Sequence, residues 1–475
     1  MSHRDQRCRN PSGRDAQELS KALKWLLEGS NPTSIRFRSD CGWSVPGLAA
    51  AALLWVWSGE STLQERWQHA LQVVQHLWRR AAPRTASYQA FLKLLVRWTE
   101  PLRAELVCAL QQRMEREFPQ QFRLAGFVVL AADGTKIELP RTRSHEAHFA
   151  PAKARRRRSD KSRRSRRARS RTAQQRRARQ RKADSPQLAL TALFHVGLRL
   201  PWDWRRGASD ASERTQLLDM LNDLPSDALL TADCGFVGYE FWQALLASGR
   251  EFVIRVGGNV RLLKQLGVVR ESAGTIYLWP DKAARRGQPP LVLRLVVVQG
   301  ARHPWYLVTS VRNSLRLSDR QVSEIYRRRW GIELFFRHFK QTFGRRKLRS
   351  HKAEHAVCEL EWSLLGLWTM LLYAWKHSSC TRAEPARLSV AKVLRAFRQI
   401  LREFRHRFPP NVLLSGLLLV AVIDGYARRD KRSRGYPRKK YETPAKPPRI
   451  TTATSHQRQH AQQLASSMTG KGLTA

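Results

Sequence analysis

Four short apolar runs, at residues 127–132, 188–196, 228–232 and 251–256, constrain the fold of this chain more than any other feature. Their period-two patterning and β-branched content mark them as strands of one sheet. Helix-spaced stretches lie on either side, so the expected class is α/β.

Residues from about 15 to 118 have helical spacing, with Leu63, Trp67, Leu71, Val74 and Trp78 recurring at intervals of three and four. Ser61 and Gln64 are placed as a capping box for that helix, and a second helix fits 87–98 after the break at Pro83. Two helices joined by a tight turn fit a DNA-reading helix-turn-helix or plain helical packing. Beyond residue 256, β-like pieces at 259–263, 275–279, 291–298 and 305–309 are separated by Gly and Pro, and a long helix begins near Ser318. Three apolar-periodic helical stretches then run from His355 to about Tyr426, followed by a basic, Pro-containing tail. The expected layout is a helical N-terminal region at 1–125 that binds DNA ends, a core at 126–350 and a helical C-terminal region at 351–426. The tail, 427–475, is expected to be disordered.

Charge narrows the partner. Lys and Arg number 86 against 38 for Asp and Glu, a formal charge of +48, and such self-repulsion makes sense beside a polyanion. DNA, RNA and an acidic membrane surface would each satisfy it. Within 153–182, 17 of 30 residues are Arg or Lys, too few of the rest being apolar to bury a core. This tract is expected to be a flexible arm that grips phosphate without reading sequence. The apolar run at 48–57 falls short of the roughly 20 residues that span a bilayer, and 362–375 and 412–423 are also short, so no membrane partner is expected. The six cysteines are scattered, with no paired spacing for zinc and no disulfide framework. No signal-peptide core follows Met1. A cytoplasmic, nucleoid-associated location is the expectation.

Three acidic positions could carry chemistry. Asp133 follows the apolar run at 127–132, where its carboxylate could project at the sheet's edge; equally, Asp133-Gly134 is a strong hairpin-turn signal. Asp233 ends the run at 228–232 before a helix at about 239–247, the strand end at which α/β proteins collect ligands, or else caps a helix. Tyr326, Arg329, Glu333 and Lys340 are spaced by three, four and seven on the helix expected after Ser318, and fall within a stripe about 60° wide. Ile325, Ile332, Phe335, Phe336 and Phe339 form the adjoining arc that would bury against the sheet. The stripe could equally be a solvated face carrying an Arg329–Glu333 ion pair. Three carboxylates converging from two strands and a helix suit hard Mg²⁺ or Mn²⁺. Two such ions, about 3.5 to 4 Å apart, serve phosphodiester displacement.

Taken together, these residues resemble bacterial insertion-sequence transposases of the DDE type, in the insertion-sequence-four group. The group's signature of Tyr, two residues, Arg, three residues, Glu, six residues, Lys is met by Tyr326, Arg329, Glu333 and Lys340. The Asp-Gly-Thr at Asp133 and the Ala-Asp-Cys-Gly-Phe around Asp233 are similar to its first and second acidic motifs. The resemblance implies an RNase H-like catalytic core with a β-rich insertion, at about 257–310, between the fifth core strand and the last acidic helix. It also implies that Asp133, Asp233 and Glu333 hold two Mg²⁺ ions, with Mn²⁺ able to substitute. Tyr326, Arg329 and Lys340 would then grip phosphate. Trp305 is similar to a family tryptophan that stacks on a flipped base, Arg255 to an arginine near the DNA end, and Trp330 to another aromatic of the signature helix.

The expected activity is cut-and-paste transposition. The enzyme would bind the inverted-repeat ends of its element, nick them, pass through a hairpin end intermediate and join them to target double-stranded DNA as a homodimer. The alternatives are a non-catalytic basic DNA-binding protein derived from a transposase, or a metal-dependent nuclease without strand transfer.

Overall fold

A computed structural model of the chain describes residues 13–29, 35–38, 41–152, 185–299, 303–378, 388–403, 413–423 and 446–471. The Arg-rich tract at 153–182 lies outside the described residues. The strands are β1 (Val128–Glu138), β2 (Gln187–His195), β3 (Leu200–Gly207), β4 (Ala228–Ala232), β5 (Glu251–Val256), β6 (Arg261–Lys264), β7 (Thr275–Leu278), β8 (Leu291–Val298), β9 (Trp305–Thr309) and β10 (Arg449–Thr452). They form one sheet in the order β10-β6-β7-β8-β9-β5-β4-β1-β2-β3.

The half β3-β2-β1-β4-β5 is the RNase H-like core. β1, β2 and β3 are antiparallel neighbours, whereas β4 and β5 run parallel to β1. β4 is buried along its whole length, as a central parallel strand covered on both faces must be. The four strands expected from the apolar runs are all present. β3 was not foreseen, because Pro201, Arg205 and Arg206 interrupt its pattern; it is the edge strand, where a proline costs no ladder bond.

The insertion does not form a separate layer. β9 pairs antiparallel with β5, so β9, β8, β7 and β6 extend the core sheet sideways. β10 then adds parallel to β6, and a helix, Ser455–Lys471, follows it. This corrects the expectation of a disordered tail over 427–475: of that span, 446–471 is ordered by backbone pairing to the β6 edge. His460 also packs on Trp279, and Ala453 and Ala461 are buried. Few apolar residues mark the segment because the sheet edge supplies its bonds.

Helices cover the core. α1 (Gly13–Leu27), α2 (Val45–Trp57), α3 (Leu63–Leu77) and α4 (Tyr88–Glu117) precede the sheet. α2 is buried from Gly47 to Trp57, and no described helix is long and apolar enough to cross a membrane. Its burial comes from α3 and from the helix Ala353–Ser378, against which α2 and α4 both pack. Trp57 Nε1 donates to the Gly366 carbonyl at 2.8 Å, and Trp362 Nε1 to Thr99 Oγ1 at 3.0 Å. α4 runs to Glu117, nineteen residues past the expected end at 98, with Pro101 inside it; buried Leu102, Leu106 and Leu110 carry the apolar face onward.

The capping box of α3 is Thr62 and Glu65, one residue beyond the expected pair. Ser61 still donates from its hydroxyl to Glu65, at 2.6 Å. Thr62→Ala is therefore expected to cost about 1 kcal/mol, the usual loss for an N-cap, and Ser61→Ala clearly less. Urea denaturation of the two variants checks the order, and equal losses would contradict it.

Candidate active site

The site is built where β4 stops and β1 continues. Their parallel register pairs Ala131 with Thr231, so Asp133 and Asp233 emerge side by side. The hairpin reading of Asp133-Gly134 is overturned: Asp133 pairs with Ala192 and Gly134 with Thr191 in the middle of β1. Asp133 Oδ1 accepts the Gly134 amide at 2.8 Å, and Asp233 Oδ1 accepts the Gly235 amide at 2.8 Å. Each carboxylate is thus fixed by one oxygen.

Tyr326, Glu333 and Lys340 lie on three successive helical segments, Asp319–Arg328, Gly331–Arg337 and the π-helical His338–Thr342, and Arg329 in the turn between the first two, instead of all on the single helix expected. Ser318 and Gln321 form the capping box that starts the run. Gly331 brings it close to the sheet, since a Cβ there would lie 2.8 Å from Phe194 of β2. Ile325, Ile332, Phe335, Phe336 and Phe339 are buried, as expected of their arc. The wider π turn alters the phase of Lys340, whose charge nonetheless acts on Asp133 and Glu138. Burial, aided by Arg346, pulls the Lys340 pKa down.

The polar stripe is less exposed than its composition suggests. Tyr326 and Arg329 are buried, and Arg329 Nη2 donates to Glu333 Oε1 at 2.9 Å. Arg329 Nε is also buried and has no hydrogen-bond partner among the described residues. The Arg329 guanidinium lies 5.4 Å from the Tyr326 ring centre, Tyr326 meets Trp305 edge-on at 6.1 Å, and Arg255 lies 6.0 Å from the Trp305 ring centre. Arg255, Trp305, Tyr326, Arg329 and Glu333 therefore form one continuous run. Trp330 stands apart from it, 56 % exposed.

One acidic residue was not singled out from the sequence. Glu213 starts the helix Glu213–Leu218 and bears electrostatically on both Asp133 and Asp233. It sits in a polar stretch with no spacing rule, and only the tertiary fold brings it here.

Burial pushes the Asp133 pKa up from 3.8 to about 6; the Gly134 amide and Arg329 work against the shift, and Asp233 and Glu213 add to it. Burial and Asp233 likewise raise Glu213, opposed by Lys136. Burial is the main cause in both, and their all-oxygen chemistry suits a hard divalent cation. Among the described residues, no three Asp, Glu, His or Cys side chains stand close enough to hold one ion together.

An acid with a raised folded pKa binds more protons when folded, so its contribution to stability falls as pH rises from 3.8 to about 6 and is level above that. Without divalent cations, Asp133→Asn is expected to melt above wild type at pH 7, with the gap closing toward pH 4. Melting curves across that range test this; a gap independent of pH would refute it.

The transposase DDE domain family model matches residues 125–368, just over half of the chain and all of this site. The chain belongs to that family. It is also 28% identical over 173 residues to the transposase InsG for insertion sequence element IS4 of Escherichia coli (strain K12). That match covers 34% of this chain and 38% of the relative, so the chain spans well under half of that relative's length. A cryo-EM structure of the piggyBac transposase synaptic complex with hairpin DNA is similar at a TM-score of 0.40 and 12% identity, over 91% of each chain.

Proposed function

We propose that this transposase cuts the ends of its own insertion sequence and joins them to target DNA, with Asp133, Asp233 and Glu333 as the metal-binding triad. The observation that carries the reading is the placement of Asp133 beside Asp233 on adjacent parallel strands, with the Glu333 helix packed on β2 through Gly331. Bound to these carboxylates, two Mg²⁺ or Mn²⁺ ions supply Lewis acidity to the attacking and leaving oxygens of phosphodiester displacement.

The chain's own residues do the rest. Arg329, with a buried unpartnered Nε, takes a phosphate beside the scissile bond through its planar fork. Lys340 adds a point charge, and Tyr326 supports Arg329 from below. Trp305, backed by Arg255, offers a face on which a base displaced from the DNA end stacks, which offsets a few kcal/mol of unstacking. Trp330, being exposed, contacts DNA from outside this run. The N-terminal helices, at 1–125, present Arg79, Arg80 and Arg84 in the α3–α4 connection and Lys93 and Arg97 on α4, all exposed, for binding the transposon ends. The core spans 126–350, and a homodimer pairs the two ends. The protein acts in the bacterial cytoplasm, at the nucleoid.

The test uses purified full-length protein, Mg²⁺ and DNA carrying the inverted repeats that flank the gene. Nicked ends, a hairpin species on a denaturing gel and joined target support cut-and-paste transposition. Cleavage without joined product indicates a nuclease, and binding alone a non-catalytic DNA-binding protein.

A further inference from the structure

The β10 border of the sheet carries charge that its packing does not explain. Residues 257–270, which contain β6, and 446–471, which contain β10, hold three and four Lys or Arg respectively and no Asp or Glu. β10 adds to β6 in parallel with Arg449 beside Arg261, so two guanidinium groups start on one face from strands about 4.8 Å apart. Like charges side by side on a sheet are destabilising. Both arginines are exposed. Arg294 of β8 has Asp319 at 3.7 Å, whereas Arg261 and Arg449 reach no acidic group among the described residues. Glu271, which follows the first stretch, is committed: its Oε1 accepts the Gly267 amide at 2.9 Å and the Tyr277 hydroxyl at 2.8 Å. Docking of β10 does not call for the charges either, because all four of its residues are exposed and its bonds to β6 are backbone bonds that any side chain permits.

The same border is tied to the active site. Arg255 of β5 is followed by Val256, Gly257 and Gly258, and exposed Lys446 packs on the two glycines. A Cβ at 258 would lie 2.8 Å from Lys446 Cβ, and one at 257 would lie 3.4 Å from the Lys446 carbonyl oxygen. Consecutive glycines thus leave the space through which the chain enters β10. Asn259 Nδ2 donates to the carbonyl of Cys234, the residue after Asp233, at 3.5 Å, and the Arg449 amide donates to the Val260 carbonyl at 3.0 Å. Lys446, Arg449 and Arg261 therefore flank the loop that leaves Arg255 and touches the second acidic motif.

We propose that β10 is a DNA-contacting strand: Lys446 and Arg449, with Arg261 of β6, neutralise backbone phosphates of the duplex whose end lies at Arg255 and Trp305, and so extend the DNA track of the active site onto the sheet border. This rests on the reading of Arg255 and Trp305 as residues that hold the DNA end. The contact is to phosphate and reads no bases. A phosphate between the two guanidinium groups turns their mutual repulsion into a shared attraction.

The test is fluorescence anisotropy of full-length protein with a duplex carrying the inverted repeat, over a range of NaCl concentrations. Each phosphate contact adds about 0.9 to the slope of log affinity against log salt, so Arg261→Gln/Arg449→Gln is expected to flatten the slope by about 2 and to weaken binding about tenfold or more. Adding Lys446→Gln should flatten it by about 1 further. A control, Arg312→Gln/Arg320→Gln, removes the same charge from exposed positions beyond the end of β9 opposite Trp305, and should weaken binding less than about threefold. Melting curves verify folding, and Arg449→Gln should melt no lower than wild type because it relieves the repulsion. If the border and control variants lose affinity alike, net charge alone is at work and the inference is overturned. If Arg255→Gln loses end binding and the border variant does not, the inference is overturned while the active-site reading stands. If the border variant loses binding but Arg255→Gln and Trp305→Ala do not, the duplex does not run out from the active site, and the proposal falls with the reading beneath it.

Discussion

Glu333→Ala is expected to abolish end cleavage and joining by about a thousandfold or more while leaving end binding intact. Metal ions acting on developing negative charge supply several kcal/mol in the transition state, and each 1.36 kcal/mol is tenfold in rate. Binding should survive because it rests on a net charge of +48, against which one carboxylate counts for little. The substitution also frees Arg329 from the 2.9 Å pair, so phosphate affinity should hold or rise slightly. Gel shift and product assays on the same preparation separate the two effects. Cleavage within about tenfold of wild type would remove Glu333 from the chemistry.

The second large effect concerns stability. Glu361, on the helix Ala353–Ser378, is buried and accepts Trp204 Nε1 at 2.6 Å. Arg103 of α4 lies 3.1 Å from it and Arg206 of β3 2.9 Å, and Arg103 also pairs with Asp203. One carboxylate thus ties an N-terminal helix, the sheet edge and a C-terminal helix together. Glu361→Ala removes the anion that Arg103 and Arg206 share and leaves them only Asp203 and Glu100, so the loss is expected near the lower end of the about 3–5 kcal/mol for breaking a buried pair. That is a large part of the 5–15 kcal/mol typical of a domain. Urea denaturation should show it, and Glu361→Gln, which can still accept the indole N–H, should lose less. A loss below about 1 kcal/mol would mean that Asp203, already paired with Arg103, and Glu100, already paired with Arg206, compensate the two arginines.

What was legible in the sequence follows from how local each signal is. β4, β5, β8 and β9 have the expected bounds because mostly apolar, β-branched runs mark strands that bury much of their length. β3 and β10 were not legible as strands: an edge strand tolerates Pro201 and charge, and β10 is held by backbone bonds that any side chain permits. At the candidate site, period and motif singled out Asp133, Asp233 and the signature residues as candidates. Periodicity alone could not tell that Tyr326 and Arg329 face inward, nor that a π turn precedes Lys340. Glu213 depends on Gly134, 79 positions earlier, and no local pattern encodes such a meeting.

The pairing of β10 with β6 has a consequence for synthesis. During translation β6 leaves the ribosome far ahead of β10. At roughly 5–20 residues per second, the outer border of the nascent sheet waits on the order of ten seconds or more for its final neighbour. For that interval its unpaired amides and carbonyls are open to other nascent chains. A slow codon or a pause between the two strands would lengthen the exposure, so yield of folded protein depends on the pace at which the message is read.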